Sequence, residues 1–184
     1  MLKKAASFAK KAHEGQVRKG TVIPYITHPM EAAVIVSTMT EDEEVIAASM
    51  LHDVLEDTRV TLEELRKAFG DRVADLVLKE TEDKTKTWKE RKTAGIIHAK
   101  EAEKELQKVI LGDKLSNMRC ISRDYLMVGD QLWNRFNEKQ KKQQAWYYQS
   151  MVEALKPLQE YGAYQEFAVL CSQVFGEQRR MESR

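Results

Sequence analysis

The chain has 184 residues, 42% hydrophobic and 32% charged, with a formal net charge of +1. That length accommodates one domain with a substantial core, and near-neutrality argues against a dedicated nucleic-acid binder, which would carry a strong basic excess. Eight glycines and three prolines leave little material for the turns of an all-β fold, and no apolar run approaches the ~18 residues of a membrane span.

Leu2, Ala5, Phe8, Ala9 and Ala12 recur at helical spacing and predict an amphipathic first helix over residues 2–14. Lys10 and Lys11 interrupt it before a signal-peptide core could form. EGQVRKGTVIPY, residues 14–25, contains Gly15, Gly20 and Pro24 and reads as a loop. A second helix starts at Thr27, with Pro29 in its first turn, where a missing N–H costs nothing. Residues 42–56 predict a third. Thr61 and Glu64 form a T-x-x-E capping box opening a fourth, which Gly70 ends, and DRVADLVLKET continues as a fifth. EDKTKTWKERK, residues 82–92, is the most charged stretch and reads as a loop or an exposed helix start. A long amphipathic helix then runs through ELQKVILGDKLSNMRCI and is broken by YLMVGDQLW. A last long helix is expected over about 137–158 and a short one over 163–175. Residues 176–184 lack an apolar face and read as a frayed tail. No repeat or second core is visible, so residues 1–175 are expected to form a single all-α domain. Cys120 and Cys171 stand far apart without CxxC spacing, as expected of reduced thiols in a cytoplasmic protein.

SMLHDVLEDT, residues 49–58, sets His52, Asp53, Glu56 and Asp57 in apolar surroundings. Residues three and four apart share a helix face, so His52 is expected above Glu56 and Asp53 above Asp57, in one block. A lone HD or ED pair is more simply an exposed helix end. Here the preceding residues, Val45 to Leu51, are too apolar for a surface strip, and a cation would offset the desolvation of converging carboxylates. One helix cannot complete a metal site. His28, beside Pro29, and Asp113, after the run VILG, are candidate partners, and Asn117, one turn on, can hydrogen-bond a substrate. Taken singly, each is more simply a structural residue.

The order H…HD…D resembles the HD-domain metal-dependent phosphohydrolases. AHEGQVRKGTVIPYITHP, AASMLHDVLEDT, FGDRVADLV, TEDKTKTWKERK and GDKLSNMR are similar to the hydrolase domain shared by RelA/SpoT-type enzymes and small alarmone hydrolases, the animal homologues of SpoT among them. The resemblance covers about residues 1–155 and leaves no room for a synthetase domain, so a stand-alone hydrolase is expected. It implies an HD-type helical bundle in which His28, His52, Asp53 and Asp113 hold a divalent cation, Mn2+ in typical members. Independently, two imidazoles and two carboxylates suit a borderline-hard ion, and a ligand set without thiolates argues against a closed structural zinc site.

The resemblance further implies Glu56 and Asp57 as the catalytic pair, and removal of pyrophosphate from the 3′ position of ppGpp or pppGpp to give GDP or GTP. Glu56 is favoured for proton handling and Asp57 for orienting water or metal, although the spacing permits the reverse. Arg18 and Lys19 resemble the family's nucleotide-flanking residues, and a guanidinium can stack on a base as well as bind phosphate. Tyr25 either supports the pocket wall or packs in the core. Lys84, Lys86, Lys89 and Arg91 steer an anion or, the more ordinary reading, form a solvated loop; Lys139, Lys141 and Lys142 carry the same ambiguity. Trp146, Tyr147 and Tyr148 stand in a row, so at least one must turn from the core.

Three departures from the family pattern stand out. The RKGTVIPY loop is shorter than in the animal members. Trp88 stands where they have lysine, which weakens any transfer of NADPH 2′-phosphatase activity. Gly112 replaces the usual alanine and is expected to loosen its helix slightly. The rival readings are another HD-type substrate (ppApp, NADPH or a nucleoside monophosphate), a non-catalytic nucleotide sensor, and a helical adaptor. The complete set His28, His52, Asp53, Glu56, Asp57 and Asp113 argues against the sensor. No nucleic-acid or membrane partner is expected, and the sequence leaves the oligomeric state open.

Overall fold

The computed structural model describes residues 1–176. Its elements are α1 (Leu2–Ala12), α2 (Thr27–Ser37), α3 (Glu43–Leu51), α4 (Val54–Asp57), α5 (Leu62–Phe69), α6 (Asp71–Glu80), α7 (Trp88–Glu101), α8 (Lys104–Val128), α9 (Lys141–Ala154) and α10 (Gly162–Phe175), with short 3-10 segments at Gly129–Arg135 and Lys156–Leu158. The fold is all-α. No strand forms among the described residues, and the only β-type pairing there is an isolated bridge between Val17 and Pro24 inside the first loop.

Local chemistry sets the helix boundaries. Asp42 caps α3 by accepting from the Glu44 amide at 2.9 Å. Thr61 and Glu64 form the expected reciprocal box on α5, and Thr87 and Glu90 form a second on α7. Gly70 joins α5 to α6 at φ +86°, backbone that only glycine adopts freely.

α8 is the axis of the molecule. It packs against α2, α3 and α10, while α3 also meets α1 and α6, and α9 lies against α7 and α10. Leu51, Leu65, Ile110, Leu111, Leu115 and Phe167 are fully buried between them. At roughly 1.5–3 kcal/mol per buried large apolar side chain, this packing is the main stabilising term. Gly112 sits where α8 crosses α2. A Cβ there would lie 2.7 Å from Val36 Cγ2 and 2.9 Å from the Ala32 carbonyl oxygen. The glycine therefore permits a close helix approach, rather than merely loosening α8 as the sequence suggests.

Several expected boundaries move. The helix expected over 42–56 is two helices, interrupted by a turn at His52 and Asp53. α8 runs past the expected break as far as Val128, and Gly129, at φ +57°, ends it. The helix expected over 137–158 is α9 alone, followed by a 3-10 turn containing Pro157, which has no N–H for a continuing ladder. Of the tail expected over 176–184, all but Gly176 lies outside the described residues.

Candidate active site

α2 and α8, with the α3–α4 turn, bring His28, His52 and Asp113 into one cluster, and Asp53 stands beside the two imidazoles. Two hydrogen-bond chains fix the imidazoles. Ser116 Oγ donates to Glu31 Oε2 at 2.8 Å, so it must accept from His28 Nδ1, also at 2.8 Å. His52 Nδ1 donates to the Ser49 carbonyl at 2.7 Å. Each ring thus spends its N–H away from the site and aims a bare Nε2 inward, the two nitrogens 3.2 Å apart. Asp53 Oδ2 lies 3.0 Å from His52 Nε2 and 3.5 Å from His28 Nε2. Asp113 Oδ1 lies 3.1 Å from His28 Nε2 and 3.6 Å from His52 Nε2. Donor atoms of His28, His52 and Asp113 all fall within 4.8 Å of one another.

Two lone pairs and two carboxylates facing inward need a positive charge between them. Burial disfavours charge on His52, but Asp53 and Asp113 outweigh it and hold that imidazole well above its usual range. Burial lowers His28. The donor set fits a divalent cation.

The carboxylate oxygens that face the imidazoles are also hydrogen-bonded from the side of the cleft. Tyr25 Oη donates to Asp53 Oδ2 at 2.6 Å, and Asn117 Nδ2 to Asp113 Oδ1 at 2.6 Å. Lys114, largely shielded from solvent, contacts Asp113 Oδ2 and reaches Glu80 Oε1 at 3.4 Å. Burial pushes Glu80 up to about 7, against the pull of Lys114. Burial also raises Glu56, opposed by the Glu82 amide, which donates to Glu56 Oε2 at 3.2 Å.

The expected catalytic pair is split. Glu56 lines the small inner cavity around the ligands and Asp57 does not; its carboxylate is bound by Lys84 at 2.7 Å. Lys84, read as a loop cation, therefore ties the outer carboxylate and also donates to the Glu56 carbonyl at 2.7 Å.

A cleft of about 670 Å³ opens beside this centre, lined by Arg18, Lys19, Tyr25 and Asn117, all four expected binding residues. Arg18 donates to Asn117 Oδ1 at 2.7 Å and lies over the Tyr25 ring at 5.7 Å. Tyr147 and Tyr148 are buried and face the cleft, and Trp88 is on its wall. Trp146 turns away and carries Lys89 on its ring face. Sequence reasoning missed Lys114, Glu80, Ser116 and Glu31. Of these only Ser116, one turn after Gly112 and beside Asn117 on α8, offered any signal.

The family profile described as HD domain matches residues 5–140. The chain belongs to the HD-domain family. This HD-domain protein is 41% identical over 128 residues to the guanosine-3′,5′-bis(diphosphate) 3′-pyrophosphohydrolase MESH1 of Danio rerio, covering 67% of this chain and 70% of that one. Against the human protein of the same name it is 40% identical over 127 residues, covering 66% and 70%. A solved structure described as a metazoan ortholog of SpoT that hydrolyzes ppGpp superposes with a TM-score of 0.74 at 28% identity, over 95% of this chain and 93% of that one. Another, lmo0812 from Listeria monocytogenes EGD-e, superposes with a TM-score of 0.75 at 34% identity, over 80% and 98%. Among the described residues no helix is long and apolar enough to cross a membrane.

Proposed function

We propose that this HD-domain protein is a manganese-dependent (p)ppGpp 3′-pyrophosphohydrolase, releasing pyrophosphate and leaving GDP or GTP. The observation that carries the reading is the convergence of His28, His52, Asp53 and Asp113 beside a cleft whose lining includes Arg18, Lys19, Arg91, Lys92 and the aromatic rings of Tyr25, Tyr147 and Tyr148. The activity for which the MESH1 relatives are named supports the same reaction.

Those four residues would hold the cation, which polarises a phosphoryl oxygen and acidifies water in contact with it. Glu56, raised by burial, is the group to take and return a proton, and the ribose 3′-oxygen, a poor leaving group, needs one. Asp57, fastened by Lys84, holds the outer rim of this acidic wall. Tyr25 keeps Asp53 in place, and Asn117 links Asp113 to Arg18, so the nucleotide-facing guanidinium and a metal ligand share one amide. Arg18 offers a planar face to the base and Lys19 a charge to phosphate. Two free thiols, Cys120 and Cys171, suit a cytoplasmic setting. Residues 1–175 form one catalytic unit, because α10 packs on α8 and α9 instead of standing apart.

A panel of ppGpp, pppGpp, ppApp, NADPH and nucleoside monophosphates, each supplied with Mn2+, Mg2+ or Zn2+, tests the assignment. Rapid pyrophosphate release from ppGpp with Mn2+, the 5′-diphosphate left intact, is expected. Turnover of monophosphates alone rejects it.

A further inference from the structure

The cleft is longer than a pyrophosphate requires. Asn117, Cys120, Ile121 and Asp124 line it from α8, continuing the face that carries Asp113. At ~1.5 Å per residue, the rise from Asp113 to Asp124 is about 16 Å. The inner end is acidic and holds the candidate metal ligands. The middle is bounded in part by Ile121, Leu132 and Phe136, and the outer end is cationic.

Two irregular segments build that outer end. Lys19, from the first loop, donates to Asn137 Oδ1 at 3.0 Å, so among the described residues its partner is a neutral amide. Arg135 ends the 3-10 segment and lies across Gly20, where a Cβ would stand 2.7 Å from Arg135 Cδ. Gly20 also takes φ +72°, so its lack of a side chain serves both the turn and the seating of the arginine. Asp124 binds Arg135 Nη1 at 2.9 Å and Arg123 Nη2 at 3.0 Å. One carboxylate is thus shared by two guanidiniums, with Lys19 in addition, and the outer end keeps a surplus of positive charge. Asp124 engages Arg135 through Nη1 alone, which leaves the rest of the fork for a ligand.

The geometry points to Arg135 and Lys19 as the residues that hold the second, non-reacting phosphate group of the substrate, the 5′-diphosphate of a nucleoside 3′,5′-bis(diphosphate). The inference rests on the proposed activity for what occupies the inner end. A planar guanidinium matches phosphate bidentately and a lysine adds a point charge. Asp124 orients the fork, and Gly20 lets it lie flat against the loop that carries Lys19. Selection would then act through the far end of the nucleotide, with the reacting bond held elsewhere.

Calorimetric titration of wild type, Arg135→Gln and Lys19→Gln with GDP and with guanosine tests this, alongside steady-state hydrolysis of ppGpp and a thermal melt of each protein. Wild type is expected to bind GDP at least about tenfold more tightly than guanosine. Each variant is expected to lose about tenfold for GDP, the worth of one charged hydrogen bond, with guanosine unchanged. The KM for ppGpp should rise by a similar factor while kcat holds within about twofold. Lys19→Gln lies on the exposed loop and carries the test should Arg135→Gln fail to fold. GDP binding equal to wild type in both variants, or an equal loss for guanosine, overturns the inference. If wild type releases no pyrophosphate from ppGpp but GDP still depends on Arg135, the subsite stands and the proposed activity falls.

Discussion

At the inner end of the cleft His28, His52, Asp53 and Asp113 are each gripped a second time, by Ser116, the Ser49 carbonyl, Tyr25 and Asn117, whereas at the outer end Lys19 and Arg135 hang from a loop and a 3-10 turn. The His28 and His52 side chains are 2% exposed, against 30% for Arg135. Groups that must meet one ion at fixed distances are over-determined by their neighbours, because small displacements there are expensive. Groups that meet a flexible diphosphate need charge and reach more than position. Damage at the inner end should therefore abolish chemistry, and damage at the outer end should shift affinity.

The largest expected effect is at the ligands. Asp53→Ala should lose bound metal and ppGpp turnover together, by more than about a thousandfold, as elemental analysis and a pyrophosphate assay would show. Retained turnover would remove the distinction between the two ends. Next comes Glu56→Gln, which should keep its metal and lose roughly a hundred- to ten-thousandfold in kcat, a general acid–base loss. Asp57→Asn, measured beside it, should lose less, since Lys84 holds that carboxylate out of the inner cavity. The reverse ranking would exchange their roles.

The smallest effect is on stability. Glu80 is raised to about 7 in the folded protein by burial, with Lys114 and Asp113 beside it, against an ordinary value near 4.5. Between those values the folded protein keeps a proton that the unfolded chain has lost, so this group's contribution is complete below pH 4.5 and is lost as pH rises through 7. In metal-free protein, Glu80→Gln should match wild type near pH 4.5 and exceed it above pH 7, by up to roughly 3 kcal/mol in urea unfolding. No pH-dependent difference would mean that the buried layer behind Asp113 carries no strain.

The sequence exposed the inner end well because its signal is contrast. His52 and Asp53 stand out in an apolar helix, His28 beside a proline, and Asp113 after VILG. Asp57 keeps its one-turn spacing from Asp53, its amide donating to the Asp53 carbonyl at 2.9 Å, but the sequence gives no sign that Lys84 binds its carboxylate outside the inner cavity. Lys114 and Glu80 stayed hidden because a charged residue on an amphipathic helix reads as solvent-facing, and only packing shows that the two are paired and largely shielded from solvent. The outer end was less legible still. Gly129–Arg135 has no helical or strand periodicity, so the sequence marks it only as a break, and nothing local reveals that Arg135 returns over Gly20. Of the aromatic run, Tyr147 and Tyr148 face the cleft while Trp146 packs beside Trp88 at the edge of the core, a choice made by the rotation of α9 against α7 and α10.

On an unbroken helix consecutive side chains diverge by about 100° and cannot both reach one small target. At the corner between α3 and α4 two such neighbours nevertheless meet, Asp53 Oδ2 standing 3.0 Å from His52 Nε2. An ion gripping both sides of the corner would serve as a latch for α4, and with it for the acid that α4 carries. Chelation should then loosen Glu56 before it disturbs the helices behind, and amide exchange through Val54–Asp57 would be the first place to see it.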